Sequence, residues 1–234
     1  GIADTSQARR KFTFAVVHGF STHAILLRQW LRDVGLDPDR DVSMIVVPPS
    51  QMVDSLSAGV IDGYCVGEPW STLAINQGLG IAAAWGVEVW PDAPEKVLCV
   101  TEQWHEANAQ THLALRVGLL RACRWLSQPE NAPEAARLLS SEQYLNIDEK
   151  ILQRALSGGL LRQHAGVPEK VVDFLSFYGE KTNALGGASA QVILDGCNDL
   201  LGRPVDPVQS HMLAARCFRT DLYESAVAHD NATQ

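Results

Sequence analysis

FTFAVVHGFSTHAILLRQWLRDVG, residues 12–35, decides the fold class. Phe12 to Val17 is a run of aromatic and β-branched residues with the composition of a buried strand. Gly19 breaks it, and Ser21-Thr22 are good N-caps for the amphipathic run His23 to Val34, which Gly35 closes. Strand, turn and helix in immediate succession open a parallel crossover unit. The same grammar continues downstream. Val42 to Val47 reads as a second strand, and Pro48-Pro49 punctuates it. Ser50 can cap a short helix through Ala58, which Gly59 ends, and Ile61 to Val66 makes a third strand. Gly67-Glu68-Pro69-Trp70 turns into a helix over Ser71 to Gln77, and Gly78 and Gly80 release the chain into a further predicted strand, Ile81 to Trp85. Alternating apolar strands and short helices imply a parallel α/β sheet, whose ligands bind at the C-terminal ends of the strands.

Beyond Trp90-Pro91-Asp92-Ala93-Pro94 the character changes. One return strand is predicted at Lys96 to Thr101. Helices are then predicted at Ala109–Leu126, Pro133–Ser140, Asp148–Ser157, Pro168–Tyr178, Ser189–Leu201 and Asp221–Ala228, with Pro129, Gly158-Gly159, Gly186-Gly187, Pro204 and Pro207 between them. The division expected is an α/β lobe over 1–90 and a second part over 91–234, the return strand and helical remainder, contributing to another lobe. Four or five strands are few for two complete sheets.

Composition narrows the function. The 234 residues carry a formal charge of -8, with no basic cluster longer than Arg9-Arg10-Lys11, which argues against direct nucleic-acid binding. No window reaches the ~18 uninterrupted apolar residues of a membrane span, and the stretch from Gly1 to Lys11 is polar. Five cysteines, at 65, 99, 123, 197 and 217, include no C-x-x-C pair and read as thiols in a reducing, cytoplasmic compartment. The seven histidines show no H-x-x-x-H spacing, and neither a phosphate loop nor a nucleophile elbow occurs, so no metal, cofactor or catalytic motif is predicted.

Three places could hold chemistry. Ser21, Thr22 and His23 stand at a strand-to-helix junction, where unpaired amides and the helix dipole favour an anion; plain capping by Ser21 explains the same residues. Glu68 follows a buried strand and can either cap the next helix or orient a basic partner, while Trp70 can wall a pocket or fill the core. Lys96 sits at the start of a predicted strand, either solvated or aimed into a cleft, where an ammonium would compensate a dehydrated anion.

Phe20-Ser21-Thr22-His23 with Arg28-x-Trp30-Leu31, Val46-Val47-Pro48-Pro49-x-Gln51-Met52, Asp62 through Trp70, and Trp90-Pro91-Asp92-x-Pro94-Glu95-Lys96-Val97-Leu98 together resemble the nitrate-binding branch of the ABC-transporter solute-binding proteins. That branch also holds bicarbonate binders and cytoplasmic nitrate/nitrite sensors that restrain an RNA-binding antiterminator. The resemblance implies a periplasmic-binding-protein-like (type II) fold of two lobes, matched here only after the N-terminal segment of the first lobe, which the chain is expected to lack. It implies Lys96 as the charge partner of nitrate, a lysine not expected in bicarbonate binders. Ser21-Thr22-His23 is implied as a donor turn, in which Ser21 looks more like the sensor branch than the transporter's Gly-Gly-Thr-His. The expected function is reversible nitrate or nitrite binding without catalysis or cofactor, as the sensor subunit of a nitrogen-assimilation pair in the cytoplasm. The alternative is a periplasmic binding subunit that serves an ABC permease.

Overall fold

The structure is a computed structural model and describes residues 10–184, 186–202 and 206–233, with the backbone alone at 187–189. The polar stretch 1–9 and Pro204 lie outside the described residues. In chain order the elements are β1 (Phe12–Val16), α1 (Thr22–Asp33), β2 (Val42–Val46), α2 (Met52–Ser57), β3 (Gly63–Cys65), α3 (Trp70–Asn76), α4 (Gly86–Val89), α5 (Glu102–Ala107), α6 (Ala109–Leu126), α7 (Ala132–Leu139), α8 (Glu149–Ser157), β4 (Gly159–Leu160), β5 (Glu169–Lys170), α9 (Glu180–Asn183), α10 (Gly187–Leu201), α11 (Pro207–Cys217) and α12 (Thr220–Ala232).

The first three strands form a parallel sheet in the order β2-β1-β3. Its central strand is covered on both faces, because successive side chains alternate. Val16 packs with Ala24, Leu27 and Leu31 of α1 on one side, and Ala15 packs with Val47, Met52 and Ile61 on the other. The apolar spacing Ala24, Leu27, Leu31 gives α1 its buried stripe. Gly35, at φ +84°, then lets the Leu36 amide turn back to the Leu31 carbonyl at 2.8 Å. Where β1 and β3 pair, Phe14 faces Gly63, and a Cβ there would lie 2.9 Å from the Phe14 ring.

Two further cores combine residues from both sides of position 90. Trp70 and Leu73 of α3 pack on Ala136, Ile147, Ile151 and Leu152, and Ile75 and Trp85 pack with Leu160 and Phe174. On the far side α6 lies against α12 through Val117, Leu120 and Ala226. There the almost fully buried Asp230 (1% exposed) takes ion pairs from Arg121 at 2.6 Å and Arg124 at 2.8 Å.

Three expectations need correction. Ile81 to Trp85 is not a strand: its Ala82 amide reaches the Arg162 carbonyl at 2.8 Å, and Trp85 turns into the core and caps α4, its amide donating to Glu88 at 2.8 Å. Lys96 to Thr101 is not a return strand either. It runs without regular secondary structure, with no partner strand among the described residues and with Val97 and Leu98 exposed, so its apolar run has no sheet to join. Pro168 to Tyr178 is not a helix. Glu169 and Lys170 pair antiparallel with Gly159 and Leu160, and Asp173 adopts φ +55°, which ends any helical path. Four helices escaped the sequence reading: the single turns α4 and α9, and the longer α5 and α11. Thr101 caps α5 by accepting the Trp104 amide at 3.2 Å, and Asp206 caps α11 ahead of Pro207.

Candidate functional site

A cavity of about 310 Å³ opens where β1 ends and α1 begins. Val17 and the turn Phe20 to His23 form one wall, the segment Glu95-Lys96 a second, and Ile193 and Cys197 of α10 the roof. The walls are stitched together: the Thr22 hydroxyl donates to the Pro94 carbonyl at 3.0 Å. Of the six residues singled out in the sequence, four, Ser21, Thr22, His23 and Lys96, line this one cavity.

Their roles differ in detail from the expectation. The Ser21 hydroxyl donates to the His18 carbonyl at 2.7 Å and accepts the Ala24 amide at 3.2 Å, so it is a helix cap. With both hydroxyl protons committed and the Ala24 amide taken by Ser21, what the turn offers a ligand is the Thr22 and His23 amides. His23 is buried. Its Nε2 finds no hydrogen-bond partner among the described residues, although Glu95 Oε1 stands 3.4 Å away, near enough to feel the charge without hydrogen-bond alignment. Lys96 is not sequestered: its side chain is 81% exposed and its ammonium is ion-paired with Glu95. The His23 imidazole and the Lys96 ammonium hold the Glu95 carboxyl down at about 2, against the opposing effect of burial. Gly67 closes the group from below. A Cβ there would lie 3.2 Å from Glu95 Oε1 and 3.7 Å from His23 Nε2, so a side chain would crowd both.

Glu68 is not among the residues that line this cavity. Its Oε2 accepts the Thr72 amide at 3.2 Å, the helix-cap alternative, and burial raises its pKa. Trp70 belongs to the core beside α7 and α8. Burial pushes the Cys65 thiol up to about 12, so it stays protonated and unsuited to attack. Glu95 and Gly67 were missed as site residues, as was the roof from α10. A carboxylate directly preceding the singled-out lysine was the available signal for Glu95. Nothing in the sequence placed α10 over the turn.

Electrostatically the cavity can hold a small oxyanion against an ammonium, an imidazole nitrogen and a helix N-terminus. Glu95 lies across two of these donors. Residues 1–140 match the profile of the NMT1-like family, and the chain belongs to that family. Among its relatives it is 46% identical over 140 residues to the bicarbonate transport ATP-binding protein CmpC of Synechocystis, covering 59% of this chain and 21% of that protein. It is 30% identical over 220 residues to the nitrate import ATP-binding protein NrtC of Synechococcus elongatus (94% and 33%) and 37% identical over 135 residues to the nitrate/nitrite binding protein NrtA of Nostoc (57% and 31%). The crystal structure of the periplasmic nitrate-binding protein NrtA from Synechocystis superposes with a TM-score of 0.88 at 25% identity, covering 94% of this chain and 57% of that one. The chain therefore spans a fifth to a third of these sequence relatives and little more than half of the crystallised NrtA. The fold is the mixed α/β, two-lobed architecture of the periplasmic solute-binding proteins, and the resemblance to their nitrate-binding branch holds.

Proposed function

We propose that the chain binds a small oxyanion, nitrate or nitrite, at the α1 cavity, without making or breaking covalent bonds, as the solute-recognising unit of an ABC import system. The observation that carries this reading is the convergence of Lys96, His23 and the first turn of α1 on one cavity of about 310 Å³. Nitrate is planar and weakly basic, so a few well-placed donors must replace its water, and an ammonium contributes most. Relatives named for nitrate import and for nitrate/nitrite binding support an import role over the sensor role expected from Ser21. Compartment follows the partner. Beside a permease, as for the periplasmic NrtA, the chain works in the periplasm; joined to an ATP-binding unit like NrtC, it works on the side where ATP is found.

A second reading, bicarbonate, is favoured by Glu95. Nitrate has no proton to donate and would be repelled by that carboxylate, whereas the hydroxyl of bicarbonate could donate to it. One calorimetric series tests both. Lys96→Ala should weaken nitrate binding at least tenfold, since a hydrogen bond to a charged group contributes about 1.5–3 kcal/mol. Glu95→Gln should tighten nitrate and loosen bicarbonate. An affinity for nitrate that both substitutions leave untouched would place the site elsewhere, and a Glu95→Gln protein that binds bicarbonate as well as the parent would remove the second reading.

A further inference from the structure

Away from the cavity, α5 and α6 meet at a bend centred on Asn108, which ends one helix and begins the other. Across this bend His105, in the last turn of α5, and His112, in the first turn of α6, set their Nδ1 atoms 2.9 Å apart. The rings meet edge to face at 4.9 Å, and Trp104 stands edge-on to His112 at 5.8 Å. His112 is 4% exposed. A contact of this length between two imidazole nitrogens requires that one carry a proton and donate while the other accepts. An imidazolium can still donate across this contact to a neutral ring, but two imidazolium rings would set two donors and two positive charges face to face, and the contact could not persist. Two imidazoles are too few to make a metal site here, and no group of three or more metal-ligating side chains occurs among the described residues.

We propose that His105 and His112 form a clasp across the α5–α6 bend that shares one proton between the facing nitrogens, and that it opens and frees α5 when both rings become imidazolium. The charges around the pair favour this. Arg116, one turn along α6, presses on His112 with the same sign as a second proton, and its guanidinium is anchored on the Leu222 carbonyl and on Ser225 Oγ of α12, so it cannot swing away freely. Arg219 and Asp221 at the start of α12 pair with each other at 2.7 Å, and Glu102 of α5 pairs with Arg216 of α11 at 3.4 Å, so the neighbouring carboxylates are already committed. Burial, Arg116 and His105 all lower the pKa of His112. The sign follows: the folded protein resists the proton that the unfolded chain accepts near pH ~6.5, so the clasp's stabilisation is complete above that pH and is lost as pH falls below it. Opening matters beyond the bend, because α5 is the downstream anchor of the segment 93–101, which carries Glu95 and Lys96 into the cavity.

Amide exchange on the intact chain tests the clasp without any ligand. Between about pH 7.5 and about pH 5, after correction for intrinsic exchange, protection over 104–108 should fall about tenfold, while the β1–β3 sheet stays unchanged. Trp104 emission should fall over the same range, as the adjacent imidazolium quenches the indole, and Trp104→Phe identifies that part of the signal. His105→Gln, which keeps a donor but cannot take a proton, should remove the response. Nitrogen NMR of the imidazoles in the unsubstituted chain provides a check that no variant can spoil. One shared proton at neutral pH supports the clasp; two rings titrating independently near pH ~6.5, or equal acid loosening in His105→Gln, would overturn it.

Discussion

Replacing Trp85 with alanine is expected to lower the unfolding free energy by about 3–5 kcal/mol, the range for removing a large aromatic side chain from a packed interior. Trp85 is 4% exposed and joins three stretches of chain that sequence keeps far apart. Its ring meets Phe174 edge to face at 5.7 Å, packs with Ile75 and Leu160, and carries the Arg162 guanidinium 5.3 Å above its centre. Its indole N–H donates to Glu169 Oε1 at 3.0 Å, and Glu169 lies in the short β4–β5 pair. Alanine would open a void between these parts and withdraw one donor from a carboxylate that still has Arg162 at 2.7 Å. Trp85→Phe separates the contributions: keeping a ring but losing the N–H, it should cost about 1–2 kcal/mol, the scale of one hydrogen bond with imperfect repacking. Urea unfolding of the two variants measures both, and a loss below about 1 kcal/mol for alanine would show that this core closes up without the ring.

Leu31→Ala should cost about 2–5 kcal/mol for a different reason. Leu31 is fully buried where α1 covers the parallel sheet, against Val16, Leu27 and Val42, with the Phe14–Trp30 pair at its border. Parallel strands leave little room for relaxation because helices hold both faces, so most of the cavity should remain open. The two variants together show how the molecule unfolds. Equal displacement of one transition by Leu31→Ala and Trp85→Ala would mean that the sheet and the helical part melt together. Two separable transitions, each moved by one variant, would make them independent units.

The sequence was most readable where local signals and long-range packing agreed. Ala109–Leu126 was expected as a helix and is one, because its apolar spacing meets a real partner in α12. The strands at 12, 42 and 63 follow from apolar runs that the helices cover on both faces. Lys96 to Thr101 has the composition of those strands, yet strand formation needs a neighbouring edge, and no composition reveals whether one is present. At Pro168 to Tyr178 the helical spacing lost to a tertiary demand: Glu169 is needed beside Trp85 and Arg162. The same division governs the cavity. Ser21, Thr22 and His23 are neighbours in sequence and could be read together, and Lys96 stood out by its position before an apolar run. Gly67 and Cys197 join them only through folding. For Glu68 a cap and a ligand-facing acid look alike in the sequence, and the Thr72 amide shows the cap.

The cavity between α1 and α10 is also bounded by charge. The roof helix that presents Cys197 also carries Asp199, which receives Arg28 at 2.9 Å and Arg32 at 2.6 Å from the floor helix, while Arg28 also grips Asp39 at 2.6 Å. α10 and α1 are therefore tethered by charge, and of these pairs Arg32–Asp199, open to solvent at both ends, is the one that dissolved ions weaken most. Concentrated electrolyte should therefore loosen this tether, and the proposed anion should be held less tightly in brine than competition from chloride alone explains.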